Sequence, residues 1–100
     1  MNTLKLYIGF QIPQYFVGDL KFGDLLREYS KTLFLHVDVS GNCYLLERAI
    51  SIEKTDTLSV FSNELKTYES SFKNYHHKFL FQIQKEFEFN CNIKGYILKD

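Results

Sequence analysis

The sequence predicts an α+β domain whose elements run β-α-β-β-α-β, and three observations carry that reading. Leu4, Leu6, Ile8, Phe10 and Ile12 alternate with other residues at period two; Gly41-Asn42 separates two strand-like runs; and a three-four apolar spacing runs from Leu58 to Ile83. Period two turns alternate side chains to one face of a strand, whereas three-four spacing lines one stripe of a helix.

The first strand is "LKLYIGFQI", with one wholly apolar face, and Pro13 ends it because proline cannot donate to a ladder. Phe22, Leu25, Leu26 and Tyr29 fall at i, i+3, i+4 and i+7, a short amphipathic helix within "LKFGDLLREYSK". "TLFLHVDVSGNCYLLERAISI" reads as a hairpin closed by a two-residue Gly41-Asn42 turn, since both residue types tolerate positive φ. In that register Val39 faces Tyr44, Val37 faces Leu46 and Leu33 faces Ile50 on the core side. His36 faces Glu47 on the other side, beside Phe34, Asp38 and Leu45.

Leu58, Phe61, Leu65, Tyr68, Phe72, Tyr75, Phe79 and Ile83 then mark a helix from about Thr57 to about Phe87, with Thr55 or Asp56 as its cap. About 45 Å is long for so small a domain, at ~1.5 Å per residue, so a break is expected near Ser70-Ser71. "KFLFQIQ" (78–84) also alternates, but it continues the helical spacing and is assigned to the helix. Phe87, Phe89, Cys91, Ile93 and Ile97 return to alternation and form the last strand. With no repeat, linker or low-complexity tract, residues 1–100 form one domain, a ferredoxin-like antiparallel sheet with both helices on one face and the other face open.

Composition excludes several functions. The 100 residues are 45% hydrophobic and 24% charged, the balance of a folded globular chain, and 12 basic residues match 12 acidic ones. A neutral chain with only Arg27 and Arg48 as arginines lacks an overall field for nucleic acid, and on charge alone that argues against such a partner. No segment reaches the ~18 uninterrupted apolar residues of a membrane span, no leader pattern opens the chain, and Cys43 and Cys91 have no metal-ligand spacing, all of which fits a reducing cytoplasm. Ten Phe, seven Tyr and ten Lys against one Ala, one Pro and no Trp point to an AT-rich coding sequence.

The histidine pair in "KNYHHKFLFQ" invites a metal or acid-base reading, which helical geometry removes. His76 and His77 lie about 100° apart, and the residues four further on, Leu80 and Phe81, cannot ligate. His76 falls with Phe72, Phe79, Leu80 and Ile83, as a core or flanking residue. His77 falls with Lys73, Gln84 and Glu88, in solvent. His36, Asp38 and Glu47 form a polar group with Cys43 near the turn, read as a solvated cross-strand ion pair; Cys43 and His36 are too far apart along the hairpin for a nucleophile and its base. No glycine cluster resembles a phosphate-binding loop. No catalytic residue, cofactor or metal is expected, so the protein is read as a binder rather than an enzyme.

The binding surface is expected on the open sheet face, at Tyr7, Phe34, His36, Asp38, Leu45, Glu47 and Tyr96, with Lys5 and Lys94 in the rim: apolar and aromatic residues ringed by polar ones. In general character (short, single-domain, free of cofactor motifs, of AT-rich composition) the chain resembles bacterial toxin-immunity proteins, including those of contact-dependent growth inhibition. That resemblance carries no motif and therefore no residue. It implies a protein partner such as a toxin domain, neutralised by steric occlusion. "LYIGFQ" (6–11), with the β-α-β-β-α-β order, resembles the first-strand motif of RNA-recognition-motif domains, with Tyr7 at the aromatic position. That implies an RNA binder as the alternative. "GNCYLLERA" departs from the second motif, offering one aromatic, Tyr44, which the hairpin register above turns to the core.

Overall fold

The structure is a computed structural model that describes residues 3–53 and 62–98. Strands β1 (Thr3–Ile12), β2 (Phe34–Val37), β3 (Cys43–Glu53) and β4 (Lys94–Ile97) form an antiparallel sheet in the order β2-β3-β1-β4. Helices α1 (Leu20–Tyr29), α2 (Ser62–Tyr75) and α3 (His77–Phe87) are packed against it. This is the ferredoxin-like β-α-β-β-α-β order, with the second helical segment divided in two.

The core lies between the sheet and the helices. Ile8, Phe10 and Ile12 of β1, Leu45 and Cys43 of β3, Phe72 of α2, and Phe79, Leu80 and Ile83 of α3 are all buried in it. Phe10 meets Phe72 edge-on with ring centroids 6.4 Å apart, and Phe16 stacks on Phe22 at 5.1 Å. Such pairs add a little to the area they bury. Phe16 closes a 3-10 turn after Pro13, its N–H donating to the Pro13 carbonyl at 3.0 Å. Asp19 then caps α1, its carboxylate accepting from the Phe22 N–H at 2.8 Å, as a short acceptor at an N-cap does.

Three expectations are corrected. The hairpin is closed by five residues, 38–42, not by Gly41-Asn42 alone: Phe34 pairs with Leu46, Leu35 with Leu45, His36 with Tyr44 and Val37 with Cys43. The cause is Asp38. Its carboxylate accepts from the Ser40 and Asn42 N–H groups, both at 2.9 Å, and its carbonyl accepts from the Gly41 N–H at 3.0 Å, with Gly41 at φ +86°. An aspartate that collects backbone donors this way starts the turn itself. His36 therefore meets Tyr44 instead of Glu47, a slip of three residues. An odd slip exchanges the two faces of β3.

The break in the long helix lies at His76, not near Ser70-Ser71. His76 leaves helical geometry (φ −100°, ψ 18°) although the Leu80 N–H still donates to its carbonyl at 2.9 Å. Ser70 and Ser71 continue α2, while the expected start near Thr57 with its caps Thr55 and Asp56 lies outside the described residues. The assignment of 78–84 to helix agrees with α3.

The final strand is only Lys94–Ile97. Phe87 ends α3, and Phe89, Cys91 and Ile93 belong to an irregular segment whose apolar side chains pack against the core. Alternation there records which side chains turn inward, not a paired backbone. Both cysteines are free, and burial pushes the Cys91 thiol up to about 12.

Candidate binding surface on the open sheet face

The strand register assigns each side chain to a face. β1 pairs with β4 through Tyr7–Tyr96 and Gly9–Lys94, and with β3 through Tyr7–Arg48, Gly9–Leu46 and Gln11–Tyr44. Directly opposed residues share a face. The face turned away from the helices therefore carries Lys5, Tyr7, Gly9 and Gln11 of β1; Tyr44, Leu46 and Arg48 of β3; Phe34 and His36 of β2; and Lys94 and Tyr96 of β4. A bulge in the pairing between Leu6 and Tyr7 leaves Ala49 unopposed, so Arg48 stays on this face while Ile50 faces Leu6 on the helix side.

Two aromatic pairs roof this face. Tyr7 and Phe34 meet edge-on at 5.8 Å, and Tyr44 and Tyr96 at 4.9 Å. Each pair joins strands that are not neighbours, roughly 9–10 Å apart in a sheet, so each must reach over the strand between. Tyr7 and Phe34 close over Leu46, which is 0% exposed despite lying outside the core. Tyr44 and Tyr96 close over Gly9, where no side chain stands in the way. A Cβ at Gly9 would strike the Leu45 carbonyl oxygen and approach Leu46 Cα to 2.8 Å. His36 lies against Tyr44 at 6.4 Å, and its Nε2 makes no hydrogen bond within the described residues.

Between its two ends, the described side chains of this face carry charges of one sign. Lys5, Arg48 and Lys94 are exposed, and no carboxylate lies among the described side chains between them. Acidic residues stand at the two ends: Asp38 in the β2–β3 loop, its carboxylate accepting from the Tyr44 hydroxyl at 3.3 Å, and Glu53, which the register sets opposite Thr3 on this face. Tyr44 and Tyr96 add no negative charge. Burial first, and then the neighbouring Asp38 charge, push Tyr44 above its ordinary value; burial and then Tyr44 do the same for Tyr96.

Of the seven residues expected to bind a partner, Tyr7, Phe34, His36 and Tyr96 are on the open face as read from the sequence. Leu45 and Glu47 are not. The slipped register turns both to the helices: Leu45 is 0% exposed in the core, and the Glu47 carboxylate meets His76. Asp38 organises its loop at one end of the face, where its carboxylate also accepts from the Tyr44 hydroxyl. Tyr44, which the expected register buried, is on the open face with Leu46 and Arg48. An Asp-x-Ser-Gly-Asn run is the signal that could have revealed this, because Asp and Asn compete for turn backbone donors.

The Asp38 carboxyl is held below its ordinary value, chiefly by the Asn42 N–H, with help from the Asn42 side chain, the Ser40 N–H and the Tyr44 hydroxyl, and against a desolvation effect. The ionised form is thus the one the fold favours. Its stabilisation is present above the unfolded carboxyl range and is lost as pH falls through the lowered folded value. Asp38→Asn is expected to flatten the acid limb of a stability–pH curve below about pH 4, measured by denaturation at several pH values. An unchanged acid limb would remove Asp38 from the account of the loop.

On the other face, His76 is 1% exposed and joined at both nitrogens: Nε2 to Glu47 Oε2 at 2.9 Å, and Nδ1 to the Ser30 hydroxyl at 3.4 Å. Nε2–H donates to the Glu47 carboxylate, and Nδ1 shares a hydrogen bond with the Ser30 hydroxyl. The chain Ser30–His76–Glu47 has the residue types of a nucleophile, base and orienting acid. But Ser30 is itself only 5% exposed, and a nucleophile must reach a substrate. The three side chains satisfy one another and tie the end of α1, β3 and the α2–α3 junction together. The described residues include no group of three or more His, Cys, Asp or Glu side chains that could hold a metal ion, and none of their helices is long and apolar enough to cross a membrane. The chain matches no family model, no curated protein and no solved structure.

Proposed function

We propose that this is a cytoplasmic, non-catalytic binding module whose open sheet face takes single-stranded RNA. One observation carries the reading: Tyr7, Phe34, Tyr44 and Tyr96 share that face with Lys5, Arg48 and Lys94, and among the described side chains the one carboxylate touching these aromatics is Asp38, at the loop end beside Tyr44. Unpaired bases stack on aromatic rings, and cations track the backbone; the two together are how sheet-based modules hold single strands. Overall neutrality argues against a long-range field, but affinity depends on the cations that meet phosphates, and here they are gathered on one surface.

The test is fluorescence anisotropy of a labelled oligouridylate at several salt concentrations. Saturable binding is expected, with a log–log salt slope of roughly −2 for three phosphate contacts. Tyr96→Ala should weaken it about tenfold, within the ~1–3 kcal/mol of a stacked base. No saturable binding below about 100 μM, the weak end of purely electrostatic association, would end this reading.

A second reading is favoured by a different observation. β2 is an edge strand, and Phe34, Leu35, Val37 and Val39 are 41%, 41%, 52% and 95% exposed along it and its loop, with no lysine or proline within β2 to guard the edge. An immunity-type inhibitor that docks on a toxin domain would use such an edge. Val37→Lys separates the readings: it should abolish docking on a protein partner and leave RNA affinity unchanged.

A further inference from the structure

The open face is not closed at its β4 side. Lys94 lies on that edge strand and lines two adjoining depressions that share Asn92 with it. The first, about 340 Å³, lies beside Tyr96 and is lined also by Gln11, Pro13 and Phe89. The second, about 680 Å³, passes between the irregular segment before β4 and α2, where Lys66, Ser70 and Lys73 line it. Lys66, Lys73 and Lys94 are exposed, and none of them makes an ion pair among the described residues. Glu69 is the sole carboxylate lining the second depression, so its lining carries a net positive charge.

We propose that a bound RNA strand does not stop at the sheet but leaves over the β4 edge, its phosphates running past Lys94 into the groove lined by Lys66 and Lys73. This rests on the RNA reading of the open face and extends it to a second, purely electrostatic segment on α2. The two segments do different work. Tyr44 and Tyr96 hold bases by stacking, whereas the groove offers ammonium groups, the Ser70 hydroxyl and the Asn92 amide, which suit phosphate oxygens. The groove adds contacts only for a strand long enough to reach it.

The experiment compares oligouridylates of about four and about ten nucleotides, lengths that bracket a single-module site, on the wild type and on Lys66→Gln/Lys73→Gln. Both lysines are exposed on α2, so the fold should survive. The wild type should bind the longer strand more tightly, and the double variant should lose that advantage. Its log–log salt slope on the longer strand should fall in magnitude by about 1.4, two single-strand phosphate contacts. Its affinity for the short strand should stay as in the wild type. Lys78→Gln/Lys85→Gln, which changes net charge equally on α3, should leave the slope unaltered. Equal binding of both lengths by the wild type, an unchanged slope in the Lys66/Lys73 variant, or an equal loss in the α3 control would each overturn the groove while leaving the open face intact. If the wild type binds neither strand, the open-face reading fails first, and the groove with it.

Discussion

Replacing His76 with alanine is expected to destabilise the protein by about 3–5 kcal/mol, whereas the same change at its neighbour His77 should stay within about 0.5 kcal/mol. The two residues are adjacent in sequence and opposite in circumstance. His76 is 1% exposed, packs 4.6 Å from the Phe72 ring and 4.8 Å from Tyr75, and is hydrogen-bonded at both nitrogens. Truncation leaves a cavity and strips partners from Ser30 and Glu47 at once. Exposed His77 hydrogen-bonds, among the described residues, through Nδ1 to the Asn74 carbonyl one turn back. Glu47→Ala should fall between, at ~1–3 kcal/mol, because it orphans a buried N–H but leaves no core void. Urea denaturation of the three variants measures this directly. Equal midpoints for His76→Ala and the wild type would show that the buried junction contributes nothing.

The second large effect is expected at Gly9. Gly9→Ala should cost about 3 kcal/mol or more, at the upper end for overpacking, because the new methyl meets backbone and not a side chain that can swing aside. Its Cβ would overlap the Leu45 carbonyl oxygen and crowd Leu46 Cα at 2.8 Å, so β1 and β3 would have to part at the centre of the sheet. Gly23→Ala is the matched control. It lies in α1 with its nearest neighbour, an Arg27 guanidinium nitrogen, at 3.6 Å, so exchanging a helical glycine for alanine should stabilise slightly. If both variants melt alike, the close approach at Gly9 is not what seats Leu46.

The topology and the inward face of β1 were legible because each rests on a single period sustained over several residues. The hairpin was not, because two turn signals overlap: Gly41-Asn42 suits a short primed turn, while Asp38 can gather the donors of a longer one. Periodicity within β2 assigned Phe34 and His36 to the open face. The face of β3 depended on register, and a slip of three residues moved Leu45 and Glu47 inward and brought Tyr44 out. The Ser30–His76–Glu47 junction was illegible for another reason. Its members come from three places separated by tens of residues, and no local pattern links a helix cap, a strand carboxylate and a histidine at the junction of two helices. His76 itself did sort with Phe72, Phe79 and Ile83 by spacing, which is why its burial could be read before its partners were known.

Because β1 sits between β3 and β4, it leaves the ribosome with no native neighbour until residues 43–53 follow it. At about 5–20 residues per second that delay lasts roughly 2–8 s, during which an alternating apolar strand is free to pair with another nascent chain. Lys5 places a charge within it, and Gly9 interrupts its row of side chains, both of which weaken such pairing. The glycine that makes room for Leu46 in the finished sheet also protects the unfinished one.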